Sequence, residues 1–92
     1  MLYARIPSER VGVLIGPEGV TKRRLQEATG TRVDVDSGSG EVTIDESKVK
    51  DPVMALKARD IVQAIGRGFS EVRAFRLLDD DAFPANGPVR DR

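Results

Sequence analysis

The residues with chemistry to offer cluster at Gly16-Pro17-Glu18-Gly19, followed closely by Lys22 and Arg23. Two glycines three apart leave the main chain without a Cβ to hold a phosphate away, so a phosphodiester can pass at close range. A helix opening around Val20 or Thr21 adds free amides and the positive end of its dipole to that approach. Lys22 and Arg23, one turn in, supply charge whose effect depends on salt. This is anion holding rather than bond making. Two glycines at this spacing also occur by chance, and the plainer reading is an ordinary turn between two helices.

Other chemistries find little support. The chain has no cysteine and no histidine, which removes disulfides, thiolate and imidazole catalysis and the usual zinc ligands. Asp34-x-Asp36-x-Gly38 fails as a calcium loop, because Ser39 stands where glycine is required and Asp45 where glutamate is required. No phosphate loop of the Gly-x4-Gly-Lys-Ser/Thr kind is present. Asp45 and Glu46 could do acid–base work only inside a polar pocket, and they read more simply as a solvated strand end. Among enzyme, binding and adaptor classes, the enzyme is the weakest.

The elements that must position the loop follow from periodicity. Leu2 to Ile6 alternates apolar and polar, as a half-buried strand does, and Pro7 stops it. Ser8 is expected to cap a helix over residues 9–15, with Val11, Leu14 and Ile15 on one face. A second helix runs to Thr29-Gly30, with Leu25 and Ala28 on its buried side. Arg32 to Asp36 and Glu41 to Ile44 alternate again around Ser37-Gly38-Ser39-Gly40, which predicts a hairpin. Asp51-Pro52 starts a long helix with Val53, Met54, Ala58, Ile61, Val62 and Ile65 inward, stopped at Gly66 and Gly68. Ser70 caps a short helix over residues 70–78, in which Val72, Phe75 and Leu78 share a face. One domain over residues 1–80 and a flexible tail over 81–92 complete the reading.

The 92 residues carry 15 basic and 15 acidic side chains, so attraction of the whole molecule to a polyanion is not available. The first 32 residues hold six basic and three acidic side chains, a local excess that fits either an anion-binding face or a solvated helix surface. Arg24 is open to both readings. Asp79-Asp80-Asp81 reads as a solvated acidic run. No stretch reaches the roughly 18 apolar residues of a membrane helix, and the N-terminus lacks signal-peptide organisation, so a cytoplasmic location is expected.

Set in order, Val11-Gly12-Val13-Leu14-Ile15, Gly16-Pro17-Glu18-Gly19, a helix ending Ala28-Thr29-Gly30 and then an alternating strand resemble the type I KH family over residues 1 to about 66. The resemblance implies an α+β fold of β-α-α-β-β-α order. A three-stranded antiparallel sheet would pack on three helices, here with a short extra C-terminal helix. It also implies a groove for about four nucleotides of single-stranded RNA. Gly12, Val13 and Ile15 would form an apolar wall under the bases. Gly16, Pro17, Glu18 and Gly19 would grip the backbone, helped by Lys22 and Arg23, with Val20 also among the RNA-binding residues. Val33 and Val35, flanked by Arg32 and Asp34, would form the opposite wall. Two positions depart from the family pattern: Lys22 replaces an apolar residue, and Glu18 sits where a basic one is commoner, which should weaken phosphate contact.

A narrower resemblance rests on Asp51-Pro52, Leu56 to Val62, Ala64 to Ser70 and Leu77 to Asp81, which look like archaeal members of the Pno/Dim KH proteins. These assist assembly of the small ribosomal subunit near the 3′ end of its rRNA and are associated with the endonuclease that trims it. The resemblance thus implies rRNA as ligand and that nuclease, assembly factors or initiation factors as partners, with no cofactor, metal or catalytic residue. The family continues into a second KH domain, where this sequence runs into Ala82-Phe83-Pro84-Ala85-Asn86-Gly87-Pro88, so that it reads as a fragment or a shortened homologue. The alternative function is a protein-interaction adaptor whose RNA groove Glu18 has weakened.

Overall fold

The alternating segments and the three-and-four spaced segments fold as their periods require. The computed structural model describes residues 1–78; the expected tail over 81–92 and the Asp79-Asp80-Asp81 run lie outside them. Strand β1 (Leu2–Arg5) leads through a 3-10 turn (Ser8–Arg10) into helix α1 (Val11–Ile15). A second 3-10 turn (Pro17–Gly19) joins it to α2 (Val20–Thr29). Strands β2 (Arg32–Val35) and β3 (Glu41–Asp45), then α3 (Pro52–Gly66) and α4 (Glu71–Phe75), follow. This is the α+β, β-α-α-β-β-α arrangement with an appended helix.

The sheet is antiparallel in the order β1-β3-β2. Leu2 lies opposite Ile44 and Arg5 opposite Glu41, while Arg32 lies opposite Asp45 and Val35 opposite Val42. Putting β3 in the middle leaves β2 at an edge, where α2 comes alongside it. Side chains alternate across the sheet, so Val33, Val42 and Ile44 point into the helices and are fully buried. They meet Leu14, Leu25 and Ile61 in one aliphatic core. Each such side chain contributes roughly 1.5–3 kcal/mol by leaving water.

Local signals explain most of the boundaries. Asp51 caps α3 by accepting from the Val53 N–H at 3.0 Å, with Pro52 in the first turn. Gly30 closes α2 in the left-handed conformation, at φ 74°. Ser70 caps α4 by accepting from the Arg73 N–H at 3.3 Å. The hairpin turn is held by Asp36, whose carboxylate accepts from the Gly38 N–H at 2.9 Å.

Four expectations are corrected. Ser8 does not cap a helix: it lies inside the 3-10 turn and its side chain makes no capping bond. Ala28 is exposed, and the buried stripe of α2 is Thr21, Leu25 and Thr29, because α2 turns its i, i+4, i+8 line to the core. Val53 is exposed and Ala55 is buried in its place. Val72 faces solvent, while the buried residue of α4 is Ala74.

Two of the basic residues from the first third of the chain are spent on structure. Arg10 donates to the carbonyls of Ile65, at 2.8 Å, and Phe69, at 3.0 Å, satisfying acceptors around the end of α3. Arg24 reaches Glu71 of α4 at 3.6 Å and lies 5.6 Å from the centre of the Phe75 ring.

Candidate nucleic-acid interface

The connection between α1 and α2 is built from left-handed backbone. Gly16 lies at φ 77° and ψ 171°, Glu18 at φ 55° and ψ 25°, and Gly19 at φ 77° and ψ 14°. Glu18 is the one non-glycine residue with positive φ among those described, a conformation that costs an L-residue about 1–2 kcal/mol. The two glycines have different tasks. A Cβ on Gly16 would collide with Thr21 Oγ1 and lie 2.9 Å from the Thr21 amide nitrogen, so glycine there is required by close packing under the loop. A Cβ on Gly19 would meet nothing within 4 Å. Gly19 is therefore the side that faces open space and admits another chain.

Fewer of the loop's amides are free than the glycine spacing implies. The Gly19 N–H donates to the Gly16 carbonyl at 3.1 Å, and the Val20 N–H donates to the Pro17 carbonyl. Pro17 has no N–H, and the Gly16 N–H is taken by the Gly12 carbonyl at 2.9 Å. Among the described residues nothing accepts from the Glu18 N–H. The tight 3-10 turn thus consumes most of its own donors, and the loop offers chiefly shape: a close approach at Gly19 beside the charges of α2.

Those charges line a groove of about 280 Å³ formed by Ile15, Gly19, Lys22, Arg23, Gln26 and Val35. Gly19, Lys22, Arg23 and Gln26 follow an i, i+3, i+4, i+7 spacing, one face of α2 carried back to the loop. Lys22 is half-buried, so its methylene stem builds the wall while its ammonium stays at the rim. The departure from an apolar residue at this position therefore keeps the wall and adds a charge. Arg23 leans over the loop and donates to the Glu18 carbonyl at 3.3 Å.

The far wall is the edge of β2. The Asp36 N–H donates to the Glu41 carbonyl at 2.9 Å, so the even-numbered positions of β2 turn their backbone toward β3, and Val33 and Val35 turn theirs to the free edge. The Val33 N–H is claimed by Gln26 Oε1 at 2.8 Å, a bond that ties α2 to β2 at the floor of the groove. Among the described residues no bond claims the outward N–H and carbonyl of Val35, which can read the edge of a base.

Of the residues that the sequence assigns to binding, the structure brings Ile15, Gly19, Lys22, Arg23 and Val35 together. Pro17, Glu18 and Val20 form the exposed or half-open rim of the loop. Gly12 is exposed, a Cβ there would meet nothing within 4 Å, and it lies one turn before Ile15 on the same side of α1. Four others are placed elsewhere. Val13 stands about 160° round α1 from Ile15 and packs at the periphery of the core. Val33 is fully buried and its side chain cannot form a wall. Arg32 and Asp34 lie on the opposite face of the sheet from the core, 3.9 Å apart. Arg32 instead borders a separate cleft of about 300 Å³ with Gly30, Thr31, Asp45, Ser47 and Lys48. There the Ser47 N–H donates to Asp45 at 2.9 Å and holds the carboxyl below the usual aspartate range. Gln26 is the residue that sequence reasoning missed, and its place at i+7 from Gly19 was the available signal.

Comparison with known proteins bears on the family and the fold. The family model described as KH domain matches residues 3–58. A KH domain-containing protein of Methanocaldococcus jannaschii is 46% identical over 78 residues, which cover 84% of this chain and 34% of that protein. A polyribonucleotide nucleotidyltransferase of Nostoc punctiforme is 36% identical over 74 residues, 77% of this chain and 9% of the enzyme. Among solved structures, Dim2p from Pyrococcus horikoshii superposes with a TM-score of 0.80 at 51% identity, over 84% of this chain and 47% of that one. A chain of the a/eIF2alpha–aDim2p–rRNA complex from the same organism gives 0.79 at 51% identity, over 84% and 44%. The chain thus spans about a third of the curated archaeal relative and less than half of the Dim2p chain. The matched segment holds both walls of the groove and the left-handed loop between the helices, and the chain belongs to the KH domain family.

Proposed function

We propose that this chain is a non-catalytic, cytoplasmic module that holds single-stranded small-subunit rRNA during ribosome assembly. The observation that carries the reading is the groove between Gly19, Lys22 and Arg23 on one side and the unclaimed edge of Val35 on the other. One side takes sugar-phosphate at close range and the other reads a base, a division that single-stranded RNA fits and a duplex does not. The rRNA in the complex of the Pyrococcus relative supports the choice of ligand, and a/eIF2alpha in the same complex supports an initiation factor as partner. An rRNA-trimming endonuclease is a further partner of the same reading.

The test is an NMR titration of the 15N-labelled protein with short single-stranded RNA from the 3′ end of small-subunit rRNA, with the matching DNA strand and an RNA duplex as controls. Movement of the amides of Ile15, Gly19, Lys22 and Val35 with RNA, and little with duplex, is the expected result. Saturation without movement at those positions would remove the groove from the function.

A second reading, that of a protein adaptor, draws on Phe69, just before α4, and Val72, within it, which are 50% and 62% exposed. Phe75 and Leu78 cannot test it, because both are half-buried against the core. A pull-down of a/eIF2alpha that survives Gly19→Asp and fails in Phe69→Asp would favour the adaptor.

A further inference from the structure

Helix α4 lies outside the segment that the family model matches, yet it reaches the loop that the groove depends on. Glu71 Oε2 accepts from Thr21 Oγ1 at 3.0 Å. Thr21 is 1% exposed, so its hydroxyl has no water to turn to. That same hydroxyl fills the space where a Cβ on Gly16 would stand. Gly16, Thr21 and Glu71 therefore form one contact chain, running from the left-handed loop through the first turn of α2 to the appended helix. Arg24 completes the attachment from outside, 3.6 Å from Glu71 and over the Phe75 ring.

The geometry points to Glu71 as a positioning residue: it fixes the rotamer of Thr21, and through it the left-handed conformation at Gly16 that sets where Gly19 opens. A threonine hydroxyl has staggered alternatives, among them rotation toward a carbonyl one turn back, as the Thr29 hydroxyl does in donating to the Leu25 carbonyl at 2.7 Å. The Glu71 carboxylate selects the rotamer that lies against Gly16. The loop is thereby organised before RNA arrives, and a ligand need not supply the ordering free energy. Glu71 touches no nucleotide in this scheme. Its effect on RNA rests on the proposed function, whereas its effect on the loop does not.

Three variants separate the possibilities. Glu71→Ala removes the acceptor. Glu71→Gln keeps an acceptor oxygen for Thr21 but discards the charge that Arg24 meets. Arg24→Ala loosens the outer attachment while leaving the Glu71 to Thr21 bond in place. The readouts are amide shifts and hydrogen exchange of Gly16, Glu18 and Gly19 in the free protein, and the Kd for a short single-stranded RNA.

Glu71→Ala is expected to move those amides, speed their exchange and weaken RNA binding about fivefold, the ratio that one ordinary hydrogen bond produces. Glu71→Gln is expected to restore both, and Arg24→Ala to leave the loop amides in place. Unmoved loop amides in Glu71→Ala overturn the inference whatever the RNA does. Equal effects of the Ala and Gln variants, or a loop shift in Arg24→Ala as large as in Glu71→Ala, overturn it too, because the carboxylate would then act by charge or by general stability. Shifted loop amides in a protein that binds no RNA would support the positioning role and refute the proposed function alone.

Discussion

Replacing Gly19 with aspartate separates the loop's role in folding from its role in binding. A Cβ there would meet nothing within 4 Å, so a side chain can leave the backbone without a clash at its first atom. The variant does keep φ near 77°, which costs an L-residue about 1–2 kcal/mol, less for aspartate than for most. For a domain of this size, a loss of about 1 kcal/mol lowers Tm by roughly 4–8 °C, and the variant stays folded at room temperature. Binding should suffer more. A carboxylate about 4 Å from a phosphate repels it by about 1 kcal/mol in bulk water and about 4 kcal/mol at the dielectric typical of a protein surface. The open side of Gly19 lies between those limits, and about 2 kcal/mol corresponds to a roughly 30-fold loss of affinity. Fluorescence anisotropy with a short labelled single-stranded RNA reads this directly. Gly19→Ala carries the same backbone cost without the charge and should bind within about threefold of the parent. Raising ionic strength should narrow the gap between the Ala and Asp variants, since charges more than about 10 Å apart are already screened at 0.1 M and nearer ones progressively above it. An Asp variant that is folded and binds within twofold of the parent would refute the assignment of the phosphate path to Gly19.

Gly16→Ala should fail differently. Its Cβ would strike Thr21 as well as strain φ, so urea unfolding should show a loss of about 2–4 kcal/mol, well beyond that of Gly19→Ala. Lys22→Ala should reduce the slope of log K against log salt by about 0.7, the value for one phosphate contact on a single strand, whereas Arg24→Ala should leave the slope unchanged because Glu71 and Phe75 hold that guanidinium. Asp45 has its carboxyl held down by the Ser47 N–H, so its contribution to stability is present above the unfolded-state value and fades as the pH falls below about 4. Thermal melts of Asp45→Asn across that range should accordingly fall less steeply with acid than those of the parent. Leu25→Ala, which empties a fully buried site between α2 and the sheet, should cost about 2–5 kcal/mol in urea.

Much of this was legible in residue order. Alternation gave the three strands, and the caps at Asp51-Pro52 and Ser70 gave two helix starts, because those signals act within a few residues of themselves. The turn at residues 16–19 was legible for the same reason. What escaped depends on contacts distant in sequence. Val33 and Val35 share one face of β2, and which of them lies under the helices and which borders the groove depends on where α1 and α2 sit along the strand, which the alternating pattern does not tell. The stripe of α2 was misjudged at Ala28 because Thr21 and Thr29 read as polar, yet both are buried. Thr29 donates to the Leu25 carbonyl at 2.7 Å and Thr21 donates to Glu71. The charge excess of the first third of the chain was misleading as well, since Arg10 serves α3 and Arg24 serves α4, each through a partner more than 40 residues away.

The bond from the Val33 N–H to Gln26 bears on how the molecule avoids its own kind. A strand at the margin of a sheet ordinarily invites a neighbouring molecule to zip onto it, the first step toward aggregates. Along the outer edge of β2, Gln26 claims the Val33 N–H and α2 packs on the same side, which leaves a second strand less backbone to pair with there. The polar side chain that completes the groove thus also blunts the β2 edge, the sheet's other edge being β1, and Gln26→Ala should be read for turbidity on concentration as well as for lost RNA.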